Sequence, residues 1–310
     1  MRNTFSKSLT LLAENDPKII LLVGDIGFNV FDKFIEKFPN RFINCGVAEA
    51  NMIGTAAGLA MSGFKPVVYT IIPFLIMRTF EQIRVDLCMH DLQVTLVGVG
   101  GGLSYDSLGP THHATEDVSI MRSLPNMQVF TPSDPNEVEW LFPLVLKQMG
   151  PKYFRLGKGG EKNLINESQI NLRVFGKSLK LFEGEKVSII SHGPILNEVL
   201  QAREILLQNE INPSIISINT IKNFNKDDLL NKIKGSKFIV TVEEHSVIGG
   251  LGDIISDCIS EIKNSPIQMK IGIEDKFVKE IGSRDYQLRI NNLKSNQIAN
   301  NILNKFKKII

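Results

Sequence analysis

Four short stretches carry residue types that do chemistry, each ending or following an apolar β-like run. They are Gly24-Asp25-Ile26-Gly27, Gly46-Val47-Ala48-Glu49, the segment 100–116 with His112 and His113, and Glu243-Glu244-His245 ahead of Gly249-Gly250-Leu251-Gly252. Glu49 falls in the first turn of a strongly apolar helical run, AEANMIGTAAGLAM, where the helix dipole alone would favour an acid. Its neighbours are small or apolar, so its carboxyl is expected in a desolvated setting that suits it to proton donation. His112 and His113 lie in LSYDSLGPTHHATED, a polar loop that reads as a shaped rim and not as core. Adjacent histidines can ligate a metal, but no second His or Cys pair stands at ligand spacing, so acid–base or hydrogen-bonding roles fit better. The glycines at 249–252 read as close helix–strand packing. No P-loop occurs and no GxGxxG follows the first strand, which argues against nucleotide hydrolysis and simple dinucleotide binding.

Strands must hold these loops. Apolar runs at 19–25, 41–46, 66–71, 93–100, 127–132 and 152–157 alternate with helical patterns near 30–38, 48–62 and 75–90 and through Trp140, the signature of parallel βαβ units. A second α/β series has strands at 186–193, 213–221, 237–245 and 268–274 and helices at 195–209, 226–234, 249–262 and 295–308. Between the two, periodicity fades. The expected division is a first domain over 1–165, a linker over 166–185 and a smaller second domain over 186–310. Ligands on open parallel sheets bind outside the carboxyl ends of the strands, where the four stretches lie.

With 310 residues, 43% hydrophobic and 22% charged, the chain can bury two cores, and neither disorder nor a coiled coil suits it. The 35 basic and 33 acidic residues give a net charge of +2, with no field for gripping nucleic acid or an anionic membrane. Cys45, Cys88 and Cys258 are odd in number and widely spaced, which suits neither a disulfide framework nor a zinc site and points to the reducing cytoplasm. No secretory h-region opens the sequence and no apolar run nears the ~20 residues of a membrane span, so a soluble protein is expected.

RFINCGVAEANMIGTAAGLAMSGFKPVVYT, FEQIRVD, GPTHHATED, MRSLPNMQVFTPSDPNE and VTVEEHSVIGGLG, in that order, resemble the C-terminal half of transketolases, especially those split into two chains. The resemblance implies a pyrimidine-binding domain followed by a transketolase C-terminal domain, and an enzyme that transfers a two-carbon ketol unit with thiamine diphosphate. It further implies an N-terminal partner subunit that holds the diphosphate and its magnesium ion, in an α₂β₂ assembly, because the family's GDG motif is not found here. Glu49 matches the acid that activates the aminopyrimidine, and His112 in GPTH matches the histidine that hydrogen-bonds substrate and assists proton transfer. Phe74, or with less support Phe80, matches the aromatic that stacks on the pyrimidine. Asp25 resembles an Asp near the thiazolium, and Arg155 in KYFRLG an arginine that binds a sugar phosphate. His113 stands where the family usually has Gln and is given a substrate-facing role.

The sequence also departs from the family. The Asp usually four residues before the GPTH histidine is here Leu108, leaving Asp106 as the substitute if the loop is longer. The basic residue that holds phosphate near the start of this loop falls on Gly98, Val99 or Gly100. An unphosphorylated, nucleotide-linked or otherwise modified sugar is therefore an open expectation. The residues 243–245 and 249–252 resemble a dimerisation segment, and His192 replaces a small residue with no role assigned. Alternatives of similar chemistry are a deoxyxylulose-phosphate synthase-like or 2-oxoacid dehydrogenase β-like subunit. A non-catalytic, partner-binding paralogue is the alternative from another class.

Overall fold

The computed structural model describes residues 1–308. The first sheet contains β1 (Ile19–Val23), β2 (Phe42–Asn44), β3 (Lys65–Ile71), β4 (Thr95–Val99), β5 (Gln128–Phe130) and β6 (Lys152–Leu156), all parallel, in the order β2-β1-β3-β4-β6-β5. Buried strands need apolar side chains on both faces. In β1, Ile20 and Leu22 enter one core with the Glu49–Met61 helix, while Ile19, Leu21 and Val23 enter another with the helices Arg2–Asn15 and Pro135–Leu146. An aromatic cluster seals the latter face, with Phe5 edge-on to Phe142 at 4.8 Å and stacked on Tyr69 at 5.9 Å.

Where one helix was expected over 75–90 the chain forms Ile72–Ile76, Phe80–Gln82 and a π-helical stretch, Ile83–Met89. The Thr79 hydroxyl donates to the Leu75 carbonyl at the break, a side-chain bond of the kind that bends helices. Arg78 is at this bend.

The second sheet contains β7 (Leu179–Phe182), β8 (Val187–Ser191), β9 (Ser214–Ser217), β10 (Phe238–Ser246) and β11 (Ile267–Ile273), ordered β11-β10-β8-β9-β7, with β7 antiparallel to β9. The segment read as a linker therefore supplies an edge strand, and the helix Glu167–Ile170 precedes it. Arg173, in the same segment, is buried against Glu137 of the first domain and donates to Ser217 Oγ of β9 at 2.9 Å. Backbone bonds also cross the seam: Thr131 donates to the Asn219 carbonyl and Ile221 to the Val129 carbonyl, both at 2.8 Å. One apolar cluster continues from Met52 and Leu96 to Ile216 and Leu251, so the two sheets share a core.

Arg155, expected to bind a sugar phosphate, is part of that interior. It lies within β6, on the same strand face as Tyr153 two residues before it, and only 3% of its side chain is exposed. Its Nε and Nη2 donate to the Asp117 carboxylate at 2.7 and 3.2 Å, and Nη2 also reaches the carbonyls of Ala114 and Glu244, both at 3.1 Å. Tyr153 donates its hydroxyl to the same carboxylate at 2.6 Å. Burial works against the Asp117 carboxylate, yet the Arg155 guanidinium holds its pKa below the ordinary value. The anion that Arg155 fits is a side chain of its own domain.

Removing one partner of a buried pair leaves the other charge uncompensated. Arg155→Gln is expected to cost about 3–5 kcal/mol of stability. Lys158→Gln, three residues later and 44% exposed, is expected to change stability by no more than about 0.5 kcal/mol. Urea unfolding of the two variants beside wild type checks the contrast.

Candidate active site

The carboxyl ends of β1, β2, β3, β4 and β6 converge on one mouth. Glu49 opens the Glu49–Met61 helix with its side chain 1% exposed. Arg78 Nη1 donates to Glu49 Oε2 at 2.6 Å, and no hydrogen bond engages Oε1 among the described residues. Gly24 makes room beside the acid, since a Cβ there would stand 3.0 Å from Thr70 Oγ1 and 3.6 Å from Glu49 Cγ. Asp25 follows in the left-handed region at φ 50° and is exposed. It accepts from Asn44 Nδ2 at 3.0 Å and donates its amide to Asn44 Oδ1 at 3.2 Å, tying the ends of β1 and β2 together.

Phe74 continues the mouth. Its ring is half-buried, has the Arg78 guanidinium over it at 4.9 Å and stands edge-on to His112 at 5.1 Å. His112 is half-buried, and its Nδ1 lies 2.9 Å from Thr111 Oγ1. Burial pushes its pKa below the usual histidine value, so the imidazole is neutral near pH 7. On its other side the Tyr105 ring lies 5.9 Å away and carries Lys158 Nζ at 5.2 Å from its centroid. Glu49, Arg78, Phe74, His112, Tyr105 and Lys158 thus form a continuous row of contacts, with an acid at one end and a cation at the other.

Two other expected residues, Phe80 and His113, lie away from this row, and a third, Asp106, meets it only at Lys158. Phe80 is half-buried and packs against the apolar core that holds Met52 and Ile53. His113 is 4% exposed and turned into the domain seam, where neither ring nitrogen makes a hydrogen bond among the described residues. Burial lowers its pKa, against the pull of the nearby Asp106 and Glu244. Asp106 spends its carboxylate on the Arg284 amide at 3.1 Å, the Ser107 amide at 2.7 Å and Lys158 at 3.7 Å. Its contacts are structural.

Arg78 and Lys158 were not singled out from sequence, although a signal existed for each. Arg78 stands four residues after Phe74, a spacing that puts two side chains on one helical face. Lys158 lies just past β6, in the loop position where strand-end ligands bind, whereas Arg155 lies inside the strand.

A family model described as the transketolase pyrimidine-binding domain matches residues 1–160, and one described as the transketolase C-terminal domain matches 176–279. The chain is 35% identical to an apulose-4-phosphate transketolase subunit of Actinobacillus succinogenes, over 81% of this chain and 80% of that one. It is 34% identical to a 6-deoxy-6-sulfo-D-fructose transketolase subunit of a Clostridium species, over 92% and 88%. A solved structure described as a split gene transketolase, inactive β4 tetramer, superposes with a TM-score of 0.88 at 31% identity, over 98% of this chain and 97% of that one. With its six-stranded parallel domain and smaller mixed-sheet domain, the chain belongs to the transketolase family, whose members depend on thiamine diphosphate.

Proposed function

We propose that this chain is the pyrimidine-side subunit of a split transketolase, catalysing transfer of a two-carbon ketol unit from a ketose to an aldehyde. The observation that carries the reading is the buried Glu49 carboxyl, one oxygen held by Arg78 and the other free, at a mouth faced by the Phe74 ring and His112. These residues fit the pyrimidine half of the cofactor: an acid for a ring nitrogen, an aromatic face for the ring, and at Gly24 the space that a side chain would fill. When bound, thiamine diphosphate supplies the nucleophilic carbon and the electron sink that cleavage beside a ketone requires.

The diphosphate and its magnesium ion are assigned to a transketolase N-terminal subunit, in an α₂β₂ assembly that gives each mouth its second half. Glu49 Oε1 would hydrogen-bond the pyrimidine nitrogen, and the single bond from Arg78 Nη1 to Oε2 orients the carboxyl. Phe74 would offer its ring as a stacking face for the pyrimidine. His112, neutral, accepts a proton from a substrate hydroxyl as the donor carbon–carbon bond breaks and returns it to the oxygen formed on the acceptor aldehyde. Lys158, at the far end of the row, provides the positive charge that positions 98–100 lack and receives an anionic end of the sugar. Two transketolase subunits to which the chain is similar are named for a phosphorylated and a sulfonated sugar, both anionic.

Mixing the chain with its N-terminal partner, thiamine diphosphate and magnesium is expected to give ketol transfer, which Glu49→Gln lowers by roughly 10²- to 10⁴-fold. Transfer unchanged by that substitution refutes the assignment of Glu49. Because the neutral form of His112 is the working one and burial lowers its pKa, kcat/KM is expected to stay flat at neutral pH. It then falls on acidification with a midpoint below 6.5, and His112→Asn removes that acid limb. Lys158→Met is expected to raise KM for a phosphorylated or sulfonated aldose about tenfold, the equivalent of about 1.4 kcal/mol, and to leave an uncharged aldose nearly unaffected. Equal KM changes for both would remove Lys158 from substrate recognition.

A further inference from the structure

The loop that carries His112 is seated by the other domain. Gly102 and Ala114 close its base with a pair of backbone bonds, both 2.9 Å. Within it, the Leu108 amide donates to the Tyr105 carbonyl and the His112 amide to the Gly109 carbonyl, local bonds that shape turns without fixing the loop against a sheet. Its base is also held by β6, through the Gly100 and Gly101 amides on the Leu156 carbonyl and Arg155 Nη2 on the Ala114 carbonyl, and three further bonds reach the second domain. The Leu103 amide donates to Glu244 Oε1 at 2.8 Å, the Ser246 amide to the Thr115 carbonyl at 2.7 Å, and the Arg284 amide to Asp106 Oδ2 at 3.1 Å. Glu244, 2% exposed, is gripped in turn by both Nη atoms of Arg284 at 2.7 and 2.6 Å. Gly102 lies in the left-handed region at φ 63°, and a Cβ there would fall 2.5 Å from Glu244 Cγ, so only glycine admits this contact.

From this geometry we infer that Glu244 and Arg284 are positioning residues for His112, through which the second domain sets where the imidazole stands relative to Glu49 and Phe74. The inference rests on the mouth being the ketol-transfer site proposed above. A bidentate guanidinium–carboxylate pair holds both groups in one plane, and the Leu103 amide takes its direction from that plane. A loop fixed at such a point transmits a small displacement to its tip, and misplacement by about 1 Å costs on the order of a hundredfold in rate.

The test uses the complex with the N-terminal partner and four variants: Glu244→Gln, Arg284→Gln, Arg284→Lys and Gly102→Ala. Glu244→Gln and Arg284→Gln are expected to lower kcat about tenfold or more, with the half-saturating thiamine diphosphate concentration within about twofold of wild type, because Glu49 and Phe74 stand on other elements. Arg284→Lys, which keeps the charge and loses the fork, falls between them and wild type. Amide hydrogen exchange over 102–116 is expected to quicken about tenfold while β4 and β8 stay protected. Gly102→Ala, whose Cβ would press on Glu244 while both charges remain, carries the same expectation, which covers the case in which a charge-removing variant does not fold. Wild-type kcat in both charge-removing variants overturns the inference, as does a loss that spreads equally to cofactor affinity and to exchange across both sheets. A wild-type complex that transfers no ketol group refutes the site reading instead, and loop exchange in the variants still decides whether Glu244 and Arg284 seat the loop.

Discussion

The buried pair of Arg155 and Asp117 joins three segments that share no strand: β6, the turn from Ala114 into the Asp117–Ser123 helix, and the Glu244 carbonyl of the second domain. Each charge is out of water, so each depends on the other, and neither can relax without stranding a carbonyl or the Tyr153 hydroxyl. The cost of separation makes the strand ends and the seam behave as one rigid body. The loop that carries His112 is referenced to it. The base of the 100–116 loop is fixed on one side by Gly102 and on the other by the segment that Arg155 grips.

Such rigidity suits the proposed assembly, in which this chain forms one wall of the site. A pocket wholly within one chain can adjust its own walls around a ligand, whereas a wall that must meet a second chain has to be right in advance. Glu49 is buried by its own helix and Arg78, and Asp25 is held by Asn44 across two strand ends, so these groups take up position without help from a ligand. Phe28, Val47 and Met77, each in the same strand-end loop as a site residue or beside one, are at least 41% exposed. Apolar side chains gathered at the rim of a polar mouth are what a docking subunit would cover, which agrees with the proposed assembly.

Much of this was legible in the sequence because buried parallel strands leave a strong mark. IILLV, TLVGV and KYFRL are buried along their whole length, and alternation with helices dictated the architecture. Glu49 was legible for a related reason: a lone acid among small apolar residues at a helix start contrasts sharply with its surroundings. The misreadings share another cause. Arg155 resembles the family arginine that binds a sugar phosphate, but a strand side chain points into a layer, and only the fold reveals that Asp117 waits there. His113 stands where the family usually has Gln, yet neighbours in a turn point in different directions, and its ring is buried. β7 escapes a reading by pattern because LKLF is a short edge strand whose pairing with β9 is antiparallel and non-local, and no periodicity in four residues marks it.

A net charge of +2 conceals how charge is distributed, and distribution is what the mouth uses. Arg155, Arg173 and Arg284 are each consumed by a carboxylate of the chain, and these pairs contribute rigidity with no external field. Arg78 faces Glu49, leaving about half of its surface in solvent, and among the described residues the Lys158 ammonium meets the face of Tyr105 and a distant Asp106 oxygen. The cations nearest the mouth are therefore the least neutralised of these five, although composition alone ranks all five alike. A weakly held ammonium reorients at little cost when an anion arrives, whereas a buried guanidinium would first have to abandon its partner. The chain thus separates two jobs that arginine and lysine are often assumed to share: guanidinium forks lock its interior, and one loosely held ammonium stands at the rim.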